Sequence, residues 1–101
     1  MAKRPALSMS KGVVYILLCN NDEYYVGSTT NLELRLKEHR SGVGSGFTKA
    51  HLPIDLVYTE EYDTIHEARL RERQLHKWSQ AKKEALINGD IEKLKELSKS
   101  K

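Results

Sequence analysis

The sequence predicts an α+β fold, a small three-stranded antiparallel sheet flanked by helices, and three observations carry that prediction. Val13 to Cys19 is an unbroken apolar run. A turn cluster, Asn20-Asn21-Asp22-Glu23, divides it from a second β-prone segment. Two later segments, Thr30 to Glu33 and Thr64 to Glu67, carry the Thr-x-x-Glu pattern that opens helices.

With no polar position in seven residues, Val13 to Cys19 reads as a strand covered on both faces, central in its sheet or nearly so. Tyr24-Tyr25-Val26 suits a second strand, and the Asn/Asp cluster between them tolerates positive φ, so the pair predicts a β-hairpin. The Thr30 to Glu33 capping box starts a helix with Leu32 and Leu36 on its buried side and Glu33 and Lys37 paired outside, closed by Ser41-Gly42. Gly42 to Gly46 is expected to be a flexible loop. Ile54 to Thr59, rich in β-branched and aromatic residues, predicts a third strand ending near Tyr62. A second helix runs from Thr64 to about Trp78 and a third from about Gln80 to Ile87, stopped by Asn88-Gly89. Asp90 caps a last helix that carries Ile91, Leu94 and Leu97.

At 101 residues and 39% hydrophobic content, the chain has room for one modest core and one site. The expected organisation is a disordered basic extension over residues 1–11, a domain over 12–89, and a C-terminal helix and tail over 90–101; Met9 is an alternative start. Seventeen Lys and Arg against fourteen Asp and Glu give a net charge of +3, and the pI is near 9.0, which permits a nucleic-acid partner without demanding one. The single Cys19 reads as a small core residue in a reducing compartment, hence the cytoplasm. No apolar run is long enough to cross a bilayer, so no membrane association is expected.

On the second helix, Ile65, Ala68, Leu75 and Trp78 define a core-facing stripe, and Glu72 occupies a position within it. A carboxylate left unpaired there is costly, so a partner must compensate it. An Arg or Lys from the sheet is one such partner, and an early turn of the stripe toward solvent is another explanation. A third is a cleft at this point, with Glu72 holding a divalent cation. One carboxylate suffices for Mg²⁺, which keeps several waters and takes further oxygens from a phosphate.

Val13-Val14-Tyr15 in the first strand, Tyr25-Val26-Gly27 in the second, and Arg35 and His39 in the helix that follows together resemble the GIY-YIG nuclease family. The tail from Glu67 through Trp78 to Ser79 is similar to the short stand-alone bacterial proteins of the UPF0213 group, and the similarity covers roughly residues 12–89. The first two motif positions depart from Gly-Ile, while Tyr15 is retained. The resemblance implies a GIY-YIG fold and a metal-dependent endonuclease that hydrolyses phosphodiester bonds in DNA, structured or damaged DNA included. It implies a site lined by Tyr15, Tyr25, Arg35, His39 and Glu72, with Gly27 as the closing structural glycine and Glu72 as the ligand of Mg²⁺ or Mn²⁺. Tyr15 and His39 compete for the role of general base. The implied partners are nucleic acid and other DNA-processing proteins.

Elementary chemistry supports the same residues. Arg35 and His39 are four apart on one helix and project from one face. An Arg fork matches phosphate oxygens and stabilises charge that grows in a transition state. The shared site also makes a geometric demand: Tyr15 and Tyr25 reach the same face only if paired residue numbers across the hairpin sum to an even number. An odd-numbered loop around Asn20 to Glu23, or a bulge beside it, is therefore expected.

Lys49, His51, Arg69, Arg73, Lys77, Lys82 and Lys83 are candidates for a basic margin that holds phosphates, with Thr48 as a minor contact. Trp78 completes the apolar stripe and is assigned to the core rather than to base stacking. Phosphate-loop, paired-cysteine zinc and cysteine-nucleophile chemistry are excluded, because the sequence lacks the necessary motifs. The competing function is a catalytically weak or inactive nucleic-acid-binding or partner-binding module on the same scaffold.

Overall fold

A computed structural model describes residues 11–41 and 52–99. The expected N-terminal extension up to residue 10, the Gly42 to Gly46 loop, and Thr48, Lys49 and His51 lie outside the described residues. Three strands, β1 (Gly12–Cys19), β2 (Tyr24–Thr29) and β3 (Pro53–Tyr62), combine with four helices. These are α1 (Leu32–Arg40), α2 (Ile65–His76), α3 (Gln80–Asn88) and α4 (Ile91–Lys99). The class is α+β, with one antiparallel sheet in the order β2-β1-β3. β1 is the central strand, as its uninterrupted apolar run requires.

Side-chain alternation divides β1 between two faces. Val14 and Ile16, with Val26 of β2, pack against Ala68 and Leu75 of α2 to form the main core. Tyr15 points to the opposite face, where α1 covers it through His39. β3 slips register opposite Ile16 and Leu17, an irregularity that places both Val57 and Tyr58 against the α2-side core. At the start of β1, Gly12 lies directly beneath the first turn of α2. A Cβ there would stand 2.6 Å from the Ile65 Cα and 2.8 Å from the Ala68 Cβ, so only glycine admits this close approach.

The β1–β2 hairpin closes through three residues, Asn20 to Asp22. The Cys19 amide donates to the Glu23 carbonyl and the Asp22 amide to the Cys19 carbonyl, both at 2.9 Å. Asp22 takes the left-handed conformation, with φ of 67°, that such a loop needs at its third residue. Paired residues accordingly sum to 42, as in Tyr15 opposite Gly27 and Leu17 opposite Tyr25. The even sum puts Tyr15, Tyr25 and Gly27 on one face.

Two local expectations for α1 are corrected. Asn31, not Thr30, is the N-cap: its side chain accepts from the Leu34 amide at 3.1 Å, while the Thr29 hydroxyl accepts from the Asn31 amide. Asn is at least as good a cap as Thr, and Thr29 secures the turn that places it. The ion pair on this helix joins Arg35 to Glu38 at 3.0 Å rather than Glu33 to Lys37, because Arg35 sits at the half-buried edge where its guanidinium is held close. Thr64 caps α2 as expected, accepting from the Glu67 amide, and α2 ends at His76 with Lys77 as its C-cap. Gly89, with φ of 69°, stops α3, and Asp90 accepts from the Lys93 amide at the start of α4. Among the described residues, no helix is long and apolar enough to cross a membrane.

Candidate active site

Tyr15 lies fully buried between its cross-strand partner Gly27 and α1. Its ring runs across Gly27 so closely that a Cβ there would meet the hydroxyl oxygen and stand 2.6 Å from Cζ. This explains the closing glycine of the motif in steric terms. The Tyr15 hydroxyl is 2.9 Å from Nε2 of His39, which is itself 1% exposed. Tyr25 completes an aromatic triangle, its ring centroid 5.2 Å from His39 and 6.3 Å from Tyr15. The edge-on arrangement of His39 toward both tyrosines is the favourable one for π systems.

Burial, reinforced by Tyr25, pushes the Tyr15 pKa up to about 12, although Arg35 beside it pulls in the other direction. Burial and then the Arg35 charge lower His39 below its ordinary value, against a smaller opposing effect of Glu38. Arg35 itself is raised: burial works against its charge, and the neighbouring Tyr15 and Glu38 more than compensate. The site thus holds a protonated phenol, a neutral imidazole and a permanent cation side by side.

Glu72 projects from α2 at the margin of the core, with its side chain 27% exposed. The Ser28 hydroxyl donates to Oε1, and His76 Nε2 lies 3.0 Å from Oε2. Compensation therefore comes from a hydroxyl of β2 and an imidazole one turn along α2, in place of the Arg or Lys from the sheet that a simple ion pair would use. Glu72 also contributes to the rise in the Tyr15 pKa, which places its charge within reach of the tyrosine cluster. Among the described residues, no group of three or more His, Cys, Asp or Glu side chains could enclose a metal ion. The donors fit a cation that takes one or two protein ligands and fills the rest of its shell with water and phosphate oxygens.

Arg69, Arg73 and Lys77 are exposed and lie at four-residue intervals along α2, beside Glu72. Lys83 is half-buried, and Lys82 places its ammonium 4.3 Å from the Trp78 ring centroid. Trp78 packs against the core, as the stripe implied.

One cluster was not foreseen. Glu60 of β3 accepts from both Nε and Nη2 of Arg71, at 2.9 and 3.1 Å, and from the hydroxyls of Tyr58 and Tyr62 at 2.6 and 2.7 Å. Burial alone would raise the Glu60 carboxyl, and these four donors outweigh it, so its pKa lies below the usual carboxylate value. Arg71 also stacks on Trp78, 5.2 Å from the ring centroid. Two signals for this cluster existed in the sequence. Arg71, like Glu72, interrupts the interval between Ala68 and Leu75, and Tyr58-Thr59-Glu60-Glu61-Tyr62 puts an acid and two tyrosines on one face of a strand.

With this geometry in place, comparison with known proteins identifies the class. A family model described as the GIY-YIG catalytic domain matches residues 11–85, and the chain belongs to the GIY-YIG nuclease family. Within it, the chain is 42% identical over 87 residues to a UPF0213 protein of Syntrophus aciditrophicus, covering 85% of this chain and all of that one. It is 42% identical over 74 residues to a UPF0213 protein of Natronomonas pharaonis, covering 73% of this chain and 87% of that one. Two solution structures are similar to it in fold. The UPF0213 protein BH0048 from Bacillus halodurans has a TM-score of 0.51 at 36% identity, covering 77% of this chain and 83% of its own. The protein EF2693 from E. faecalis has a TM-score of 0.55 at 31% identity, covering 90% and 92%.

Proposed function

We propose that the protein is a metal-dependent endonuclease that hydrolyses phosphodiester bonds in DNA, with residues 12–89 as the catalytic unit. The observation that carries this reading is the Tyr15–His39 hydrogen bond, with Tyr25 and Arg35 against it and Glu72 within electrostatic reach. Family membership supports nucleic acid as the substrate. The exposed stripe of Arg69, Arg73 and Lys77 supports a polyanion running along α2.

The proton inventory of the site supports one set of roles. Populating the Tyr15 phenolate at pH 7 from a pKa of about 12 costs about 7 kcal/mol, which disfavours Tyr15 as the free base. Burial and the Arg35 charge lower His39, which keeps it neutral at the same pH, and in the tautomer with its hydrogen on Nδ1 its Nε2 accepts from the Tyr15 hydroxyl. Once substrate binding admits a water to the Tyr15 hydroxyl, which is buried in the free chain, Tyr15 passes its proton to His39 Nε2 as it takes one from that water, and His39 is the final acceptor. Arg35, whose charge is reinforced by its neighbours, binds a non-bridging phosphate oxygen and holds the phosphorus in line. Tyr25 walls the cluster and orients the imidazole. Glu72 would hold a divalent cation, Mg²⁺ or Mn²⁺, which would supply charge neutralisation for the reacting phosphate. The chain's single cysteine, Cys19, is fully buried and suits a reducing compartment, which favours the cytoplasm.

The test is incubation with supercoiled plasmid, branched DNA and single-stranded DNA in Mg²⁺ or Mn²⁺, alongside Tyr15→Phe and Glu72→Gln. Nicking that requires the metal and falls at least about 100-fold in both variants is the expected result. Salt-sensitive binding without cleavage of any substrate would instead assign the chain to the class of nucleic-acid-binding modules.

A further inference from the structure

His76 stands one helical turn beyond Glu72, with Nε2 3.0 Å from Oε2, and its side chain is half exposed. As a structural ion pair, such an exposed i,i+4 contact contributes little. As a pair of metal donors it already has a suitable geometry. Two ligand atoms that each lie about 2.1 Å from an ion and subtend about 90° at it are about 3.0 Å apart, the cis edge of an octahedron. Oε2 and Nε2 are already at that separation. The other oxygen of Glu72 accepts from Ser28, which fixes the carboxylate plane in the way that an outer hydrogen bond fixes a metal ligand. His76 also lines an open cleft with Tyr25 and Lys83.

Resting on the reading of Glu72 as the metal carboxylate, we infer that His76 is a second protein ligand, and that the site prefers Mn²⁺ and later first-row divalent ions to Mg²⁺. The ion takes the place of the Nε2–Oε2 hydrogen bond: in the neutral ring the single hydrogen sits on Nδ1, so that Nε2 presents its lone pair to the metal. An imidazole nitrogen is a good donor to Mn²⁺, Co²⁺ and Zn²⁺ and a poor one to Mg²⁺, whose affinity follows its oxygen ligands. His76 thus sets which metal is bound, whereas Glu72 sets whether one is bound at all.

The test measures binding rather than turnover. Mn²⁺ and Mg²⁺ are titrated into the full chain by calorimetry, and paramagnetic broadening by Mn²⁺ is followed at the His76 ring and at the Ser28 and Glu72 amides. Wild type, His76→Gln, His76→Ala and Glu72→Gln are compared, with dispersion of the amide spectrum confirming the fold of each. In wild type, broadening centres on His76 and Glu72. Both His76 variants weaken Mn²⁺ about ten-fold and change Mg²⁺ less than three-fold, and Glu72→Gln weakens both ions. An unchanged Mn²⁺ affinity in both His76 variants, or broadening centred elsewhere in wild type, overturns the inference. The outcomes separate from those of the nuclease reading. Mn²⁺ bound at His76 and Glu72 without cleavage of any DNA keeps the ligand pair and removes the nuclease, and Mg²⁺-dependent cleavage with Mn²⁺ binding unaffected by His76→Gln does the reverse.

Discussion

Tyr15 and His39 face each other at 2.9 Å with their acidities driven apart by one cause, burial, which favours the neutral form of both. A base that must be neutral fails once it is protonated. The logarithm of kcat/KM should therefore rise with unit slope at acid pH and level off at a pH below 6.5, the ordinary histidine value from which His39 is lowered. A profile from pH 5 to 9 at saturating metal checks this; an activity that keeps rising to pH 9 would transfer the role of base away from His39. Residues of this kind were legible because their spacing matches a motif and their chemistry is uncommon. Glu72 was legible for a different reason, as a charge inside an apolar stripe. Ser28 and His76 were not, since a serine in a strand and an exposed helical histidine are ordinary, and only the folded chain brings them to the two oxygens of Glu72.

The hairpin shows how an element can carry function without supplying a reacting group. Its loop of three residues makes paired numbers sum to an even value, and that parity alone turns Tyr25 toward Tyr15. Deleting Asn21 while the loop keeps three residues pairs Cys19 with Tyr24 in place of Glu23, shifts the register by one, and sends Tyr25 to the α2 side. We expect cleavage then to fall to background while a three-stranded sheet persists by circular dichroism; retained activity would mean that a two-residue loop closes on the Cys19–Glu23 pair and keeps the register. The odd loop was deducible from the requirement that two tyrosines share a face. The exact cap of α1 was not, because Thr30 and Asn31 are adjacent good caps, and the choice went to Asn31 through the Thr29 hydroxyl that holds its amide. The slip in β3 was likewise invisible, since no glycine or proline marks it within Leu56 to Tyr58.

At the scale of the whole molecule, Glu60 and Arg71 tie the edge strand β3 to α2, with both side chains largely buried. The Glu60 carboxyl is depressed in the folded protein, so its contribution is present above the unfolded value near 4.5 and is lost as pH falls through the lower folded value. Glu60→Gln should lower stability by about 3 kcal/mol at pH 7, as breaking a buried pair does. The difference from wild type should shrink below about pH 4.5 in urea denaturation. A constant difference from pH 7 to pH 3 would show that the charge of Glu60 is not what stabilises the pair. Arg71 neighbours Glu72 in sequence, so one helix presents a structural charge and the charge proposed to hold the metal in succession, reaching Glu60 of β3 and Ser28 of β2 respectively.

The central strand β1 is likewise read by two helices at once. α2 packs on Val14 and Ile16, and α1 closes over Tyr15 between them. The proposed chemistry and part of the main core therefore occupy alternate letters of the same short stretch of sequence. Mutation on one face can erase the reactive pair while leaving the packing of the other intact, so a cutting protein can turn into a binding one by drift on a single side of its sheet. A relative that has kept Val14 and Ile16 and lost Tyr15 would retain this side of the core, and its fold alone would not reveal whether it cuts.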